Sequence, residues 1–174
     1  VMGRGIALQF RKQFPDNFKL YEKACERGDV EPGRMLVFDR NSLDRPRYII
    51  NFPTKRHWQG KSRIEDIESG LKALVEEVRQ REIMSIAVPP LGCGLGGLKW
   101  SEVRPLIVSA FDALPHVTVD LYEPAGAPSA EAIRWPAAWI MPALVSASVD
   151  GMASEPEAPR MAAMIASGSS PSSS

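Results

Sequence analysis

The sequence predicts an α/β protein in which helices cover a largely parallel β-sheet. Between residues 47 and 122, apolar segments alternate in the order strand, helix, strand, helix, strand. Such an alternation needs crossover connections, which place each helix against the sheet. The chain has 174 residues and zero formal net charge, which favours one globular domain and argues against a general nucleic-acid coat protein. Any contact with nucleic acid is therefore expected to be local.

The first predicted elements are two short helices and a strand. Apolar residues at helical spacing predict that a loop leads into a helix over residues 3–13, and that a second helix covers residues 17–27. Gly28 follows the second helix as a C′ residue. The apolar run at residues 34–38 predicts the first strand.

The crossover region follows and places two polar loops at one edge of the sheet. Its predicted elements are strand 47–52, helix 63–81, strand 84–88, helix 102–114 and strand 117–122. Ser62 and Glu65 match a capping box at the start of the first of these helices. Ligands of such sheets bind beyond the carboxyl ends of the strands. The loops at residues 54–61 and 91–98 lie at those ends, so we expect the ligand site there.

Residues 125–174 lack a sustained strand or helix periodicity. They are rich in Ala, Pro, Ser and Met and end in a serine-rich stretch. This composition predicts a disordered tail. We therefore expect the folded domain to comprise residues 1–124.

The cysteines and the hydropathy pattern favour a cytoplasmic protein. Cys25 and Cys93 show neither metal-ligand nor disulfide spacing, and reduced thiols fit the cytosol. No apolar stretch is long enough for a transmembrane helix, and the start has no signal-peptide pattern. We expect no metal, no cofactor and no membrane partner.

Two glycine-containing segments are candidate phosphate-binding loops. Residues 91–98 hold four glycines between a buried strand and a helix. Successive N–H groups in such a turn can form an anion nest, and the helix N-terminus adds positive partial charge. Gly3 and Gly5 form a second pair at the start of a helix. Residues 91–98 are alternatively a tight strand-to-helix turn without a ligand, and the pair Gly3 and Gly5 alternatively belongs to an ordinary loop. Together the two segments could bind a diphosphate from both sides.

The loop at residues 54–61 holds three cations, a histidine and a tryptophan directly after a strand. Lys55 is a candidate nucleophile or base, because the strand edge partly removes its amine from water. Trp58 is a candidate stacking platform for a base, and Arg56 and Lys61 are candidate phosphate contacts. The alternative is a solvated charged loop in which Trp58 is half-buried packing.

Three segments in this order resemble macrodomains of the DarG type. They are MGRGIALQF at residues 2–10, NFPTKRHW at residues 51–58 and PPLGCGLGGLKW at residues 89–100. DarG is the antitoxin of the bacterial DarT–DarG pair. The toxin ADP-ribosylates thymidine in single-stranded DNA, and the DarG macrodomain hydrolyses that link. The resemblance runs from residue 1 to about residue 124 and implies a three-layer α/β/α sandwich with a mixed, largely parallel sheet.

The resemblance also implies roles for individual residues. Lys55 would be the catalytic lysine, directed at the anomeric carbon of the distal ribose, either as a nucleophile or by stabilising the opened sugar. DNA contacts would come from the same loop, at Arg56, His57, Trp58 and Lys61. The residues expected to bind ADP-ribose are Gly3, Gly5, Ile6, Thr54, Gly92, Cys93, Gly94, Leu95 and Gly96.

The sequence departs from the family pattern in two places. Some macrodomains of the branch that this sequence resembles have an acidic residue after the glycine-rich loop. Gly96 and Gly97 occupy that region here, so no general acid–base carboxylate is identified. The family's first strands carry an aspartate that reads adenine and an asparagine that contacts the distal ribose. Val1 lies after both, so we expect the fold to lack its first strands.

Four functions follow from the resemblance. The first is a glycohydrolase that acts on ADP-ribosylated single-stranded DNA. The others are a non-catalytic ADP-ribose reader, an antitoxin that acts by protein contact with a DarT-like toxin, and a deacylase or phosphatase of free ADP-ribose derivatives. Replacement of Lys55 distinguishes the glycohydrolase from the reader. In a glycohydrolase it should abolish turnover and largely spare the binding of ADP-ribose.

Overall fold

The computed structural model describes residues 5–42, 45–57, 59–124 and 161–168. All of them belong to one compact unit made of residues 1–124 and 156–174. The elements in chain order are α1 (Gly5–Gln13), α2 (Pro15–Glu26), β1 (Leu36–Asp39), β2 (Tyr48–Pro53), α3 (Ile64–Gln80), β3 (Ile83–Val88), a 3₁₀ turn (Gly94–Gly96), α4 (Trp100–Phe111), β4 (Thr118–Leu121) and β5 (Met161–Gly168). Among the described helices, none combines the length and the apolar composition needed to cross a membrane.

The five described strands form one mixed sheet in the order β1-β2-β5-β3-β4. β1 pairs antiparallel with β2, and β5 pairs antiparallel with both β2 and β3. β3 and β4 are parallel neighbours. Since β2 and β3 both run opposite to β5, the strands β2, β3 and β4 share one direction, as the predicted crossovers require. Their carboxyl ends therefore lie at the same edge of the sheet.

Strand β5 corrects the predicted tail. The composition of residues 161–168 predicted a disordered segment, but these residues occupy the middle of the sheet between β2 and β3. Met164, opposite Ile50, is fully buried. The segment MAAMIASG has no alternating pattern, so its strand conformation depends on pairing with two neighbours rather than on local propensity. The rest of the predicted tail lies outside the described residues.

The helices cover both faces of the sheet. In a strand, neighbouring side chains point to opposite faces. On β1, Leu36 packs against the cluster formed by α1 and α2, whereas Val37 packs against the cluster that contains α3 and α4. The two helix pairs therefore lie on opposite faces. This is the three-layer α/β/α arrangement that the resemblance implies. The sheet is mixed, as predicted, but three of its four described strand pairings are antiparallel, so the prediction of a largely parallel sheet is wrong for the described strands.

Helix α3 buries the apolar stripe that its sequence predicts. The buried apolar positions are Ile67, Leu71, Leu74, Val75 and Val78. Gly70 lies on the same side, where a Cβ atom would overlap the ring of Phe52 on β2. The absence of a side chain at residue 70 thus lets α3 approach the sheet closely.

A buried amide pair connects α2 to the sheet. The Nδ2 of Asn51 donates to Oδ1 of Asn17 at 2.8 Å and to the Leu36 carbonyl at 2.9 Å. Asn17 in turn donates to Oδ1 of Asn51 at 3.2 Å. Both side chains are fully buried, so these hydrogen bonds replace the water that the amides lose. The pair fixes α2 against β2.

Candidate functional site

The loops that follow β2 and β3 meet at the carboxyl edge of the sheet, and Lys55 is the contact between them. The Nζ of Lys55 donates to the Gly60 carbonyl at 2.6 Å and to the Leu95 carbonyl at 2.8 Å. Gly60 belongs to its own loop, whereas Leu95 belongs to the glycine-rich turn. The structure therefore brings together the two loops that sequence reasoning selected.

Lys55 is almost entirely buried. Only 4 % of the residue is exposed, although lysine is rarely found in protein interiors. A buried amine is costly unless hydrogen bonds replace its water, and the carbonyls of Gly60 and Leu95 supply them. The amine is thus held in one place before any ligand arrives.

The glycine-rich turn is a compact structure with its own hydrogen bonds. Gly92, Gly94 and Gly97 have φ values of 69°, 67° and 81°. The amides of Cys93, Gly97 and Leu98 donate to the carbonyls of Pro90, Gly94 and Gly92, respectively, at 2.9–3.2 Å. These three N–H groups are engaged within the protein. The 3₁₀ turn Gly94–Gly96 also uses the Gly96 amide in its own i to i+3 hydrogen bonding. The amides of Gly94 and Leu95 are therefore the candidates for an anion nest.

Ser62 lies directly beneath this turn. Its N–H donates to the Gly96 carbonyl at 3.0 Å. A Cβ atom added to Gly96 would lie 2.5 Å from the Ser62 Oγ, and one added to Gly92 would lie 3.1 Å from the Ser62 Cβ. The two glycines therefore let the turn rest on Ser62.

The role of Ser62 differs from the one that the sequence predicted. The capping box is wrong, because Arg63 is the N-cap of α3 and makes no side-chain capping hydrogen bond. The Ser62 Oγ is buried and has no hydrogen-bond partner among the described residues. The side chain of Ser62 packs under the glycine-rich turn instead of capping α3. No local pattern in the sequence indicates a contact between residues so far apart in the chain.

A bidentate ion pair anchors the loop beside Lys55. The Nε and Nη2 of Arg56 donate to the Asp66 carboxylate at distances of 2.8–3.2 Å. Asp66 lies in the first turn of α3, and its side chain is 5 % exposed, against 63 % for Arg56. The hydrogen bonds and the negative charge of Asp66 raise the pKa of Arg56. Asp66 was not predicted as a site residue, because its only signal in the sequence is that of an acidic residue at a helix start.

The other predicted contacts of this loop differ in exposure. Thr54 is buried, whereas His57 and Lys61 are exposed. The Nδ1 of His57 accepts a long hydrogen bond from the Gln59 amide at 3.4 Å. Trp58 lies outside the described residues. The exposed His57 and Lys61 are accessible to a large ligand.

The remaining predicted ligand contacts lie in the turn and at the start of α1. Cys93 is half-buried, and burial raises the pKa of its thiol. Leu95 is 59 % exposed, although its carbonyl holds Lys55. Gly5 begins α1 and Ile6 is half-buried. Gly3 lies outside the described residues.

Comparison with known proteins identifies the fold. The family model described as Macro domain matches residues 1–107, which is more than half of the chain. The chain is 54% identical over 133 residues to a Thermus aquaticus protein named DNA ADP-ribosyl glycohydrolase, covering 76% of this chain and 37% of that protein. The chain thus spans little more than a third of the length of this relative.

Solved structures agree with the family match. The macrodomain of Mycobacterium tuberculosis DarG superposes with a TM-score of 0.71 at 51% identity, covering 72% of this chain and 82% of that chain. Thermosipho africanus DarTG in complex with ADP-ribose gives a TM-score of 0.66 at 40% identity, covering 71% of this chain and 35% of that chain. These matches confirm the predicted fold and the resemblance. The chain belongs to the macrodomain family and is of the DarG type.

Proposed function

We propose that this chain binds ADP-ribose and hydrolyses its link to thymidine in single-stranded DNA. The observation that carries the proposal is the buried amine of Lys55, which is fixed where the loops that follow β2 and β3 meet. The relative named DNA ADP-ribosyl glycohydrolase and the DarTG structure with ADP-ribose support the same chemistry. Chromosomal DNA lies in the bacterial cytoplasm, so the proposal places the protein there.

The glycine-rich turn is suited to the diphosphate. The backbone N–H groups of Gly94 and Leu95 would donate to phosphate oxygens, because successive amides in a turn of this kind form an anion-binding concavity. Gly96 lacks a side chain where Ser62 lies under the turn, whereas the space around Gly94 is open and lets the ligand approach the backbone closely. Leu95 lies between them and connects the turn to Lys55 through its carbonyl.

Lys55 would act on the distal ribose. The reaction breaks the bond between the anomeric carbon and the thymine nitrogen, adds the oxygen of water to that carbon and returns a proton to the nitrogen. The amine would either attack the carbon and later be released by water, or stabilise the opened sugar. Both routes need the amine beside the sugar, and neither needs a metal.

Exposed polar side chains after β2 would meet the DNA. His57 and Lys61 are exposed beyond the strand, whereas the guanidinium of Arg56 is held by Asp66. Phosphate contacts from such side chains position a strand without reading its sequence. Trp58 is proposed as the stacking surface for a base. A DarT-like toxin, which makes the modified thymidine, is the proposed functional partner.

The test is the release of ADP-ribose from an oligonucleotide ADP-ribosylated on thymidine. We expect Lys55→Ala to abolish release and to retain ADP-ribose binding in calorimetry, because the glycine-rich turn remains. Lys72→Ala is the matched control, since Lys72 is an exposed lysine on α3. Release by Lys55→Ala at the wild-type rate would refute the proposal.

The same preparation separates the competing functions. Binding without release by the wild type would identify a reader. Release from acetylated ADP-ribose but not from DNA would identify a deacylase. Neutralisation of the toxin that survives Lys55→Ala would identify an antitoxin that acts by protein contact.

A further inference from the structure

We propose that Asp66 is a positioning residue that fixes Lys55 through Arg56. The inference rests on the proposed function, because it concerns the placement of the proposed catalytic amine. Asp66 belongs to α3, whereas Arg56 is the neighbour of Lys55 in the chain. The ion pair therefore connects the start of a rigid helix to the residue beside the amine.

The geometry of the pair suits an anchor. The Nε and Nη2 of Arg56 face the Asp66 carboxylate, and the shortest of the three contacts is 2.8 Å. Two N–H groups in a planar fork fix the orientation of the guanidinium as well as its distance, which a single contact cannot do. Asp66 is buried at the start of a 17-residue helix, so its side chain has little freedom to follow a moving loop.

Lys55 gains from such an anchor because the two carbonyls that bind its amine belong to loops. The amine binds the carbonyls of Gly60 and Leu95, and neither residue lies in an α-helix or a strand. Arg56 supplies the connection to α3 directly after Lys55. A misplacement of about 1 Å in a reacting group can cost about 100-fold in rate. Loss of the ion pair between Arg56 and Asp66 should therefore lower kcat.

A positioning role for Arg56 differs from the phosphate contact that the sequence suggested. The guanidinium has five N–H donors, and Asp66 occupies donors on two of its three nitrogens. A phosphate contact would depend on Arg56 alone. A positioning role would depend equally on Arg56 and Asp66, so a double-mutant cycle separates the two roles.

The experiment compares Arg56→Gln, Asp66→Asn and the double variant on the ADP-ribosylated oligonucleotide. We expect kcat to fall between about 10- and 100-fold in each single variant, with KM within about twofold of wild type and no greater fall in the double variant. The dependence of KM on salt should stay unchanged. Arg63→Gln and Glu68→Gln are matched controls, since both residues are exposed near the start of α3.

Other results would overturn the inference. A phosphate contact by Arg56 predicts a raised KM and a salt slope smaller by about 0.7 for Arg56→Gln, with no effect of Asp66→Asn. Effects that multiply in the double variant, or an unchanged kcat, would equally contradict a shared role. If Asp66→Asn fails to fold, the Arg56→Gln variant decides alone, because the side chain of Arg56 is exposed and its replacement should not unfold the protein. A lower kcat with an unchanged salt dependence of KM supports the positioning role. Any other result for Arg56→Gln overturns that role.

A second readout keeps this inference separate from the proposed function. If the wild type releases no ADP-ribose, the proposed function fails, and the NMR signals of the Lys55 ε-methylene and amine still report its position. Equal signal shifts in Arg56→Gln and Asp66→Asn, absent from both controls, would support the anchor. An unchanged Lys55 signal in the two variants would overturn it.

Discussion

Gly96→Ala should strain the contact between the glycine-rich turn and Ser62. The new Cβ would lie 2.5 Å from the Ser62 Oγ and 3.2 Å from the Ser62 Cβ. Ser62 is only 5 % exposed, so its side chain has little room to yield. The turn must therefore shift away from the start of α3.

Overpacking of this kind costs about 1–3 kcal/mol. In a chain of this size, each kcal/mol lowers Tm by about 2–4 °C, so we expect a loss of between about 2 and 12 °C. The shift also moves the amides proposed to bind the diphosphate. Loss of one such charged hydrogen bond costs about 1.5–3 kcal/mol, which corresponds to at least about a tenfold rise in the Kd for ADP-ribose.

The assay combines thermal unfolding with calorimetric titration of ADP-ribose. Ser62→Ala removes the atom at 2.5 Å and should recover at least half of both losses in the double variant. Ser62→Ala alone should leave Tm unchanged or raise it, because it deletes a buried hydroxyl without a partner among the described residues.

Gly94→Ala is the matched control. Gly94 has a φ of 67° but open space around its missing side chain, so alanine there costs about 1–2 kcal/mol through the backbone alone. Ser62→Ala should not rescue that loss. Equal rescue of Gly94→Ala and Gly96→Ala, or no rescue of either, would refute the steric explanation.

Three further changes test other contacts. Asn17→Ala should lower the free energy of unfolding by about 1–3 kcal/mol, because it leaves the Asn51 amide buried with fewer partners; denaturant titration measures this, and an unchanged midpoint would contradict it. Gly70→Ala should destabilise the fold by about 1–3 kcal/mol, since its Cβ would overlap the ring of Phe52; a Tm equal to wild type would show that the helix shifts freely. The Cys93 thiol should be alkylated more slowly in the folded than in the unfolded protein at neutral pH, because burial raises its pKa and depletes the thiolate; equal rates by mass spectrometry would count against that burial.

The sequence predicted the elements whose periodicity is local. The helix expected at residues 63–81 is observed as Ile64–Gln80, and the strand expected at residues 84–88 is observed as Ile83–Val88. The shared direction of β2, β3 and β4 also followed from the strand–helix alternation. Each of these features depends on residues that lie close together in the chain, which is why pattern reasoning found them.

Features that depend on distant residues were missed. Strand β5 forms because two other strands pair with it, and its own sequence carries no strand pattern. Ser62 was assigned to a capping box but lies under a turn some thirty residues further along the chain. Asp66 looked like an ordinary acidic residue of a first helical turn until the structure paired it with Arg56.

The candidate site was predictable as a pair of loops but not as a set of contacts. Lys55 stood out because it follows a strand, and the glycines of residues 91–98 stood out as a cluster. The contact of the amine with the Leu95 carbonyl joins residues forty positions apart. Only the folded sheet, which brings both loops to one edge, determines that contact.

The most direct test of the account is a crystal structure of the protein with ADP-ribose bound. We expect the diphosphate against the amides of Gly94 and Leu95 and the anomeric carbon of the distal ribose within about 3–3.5 Å of the Lys55 Nζ, a distance suited to reaction. A complex in which the distal ribose lies away from Lys55, with the amine still held by Gly60 and Leu95, would contradict the central claim.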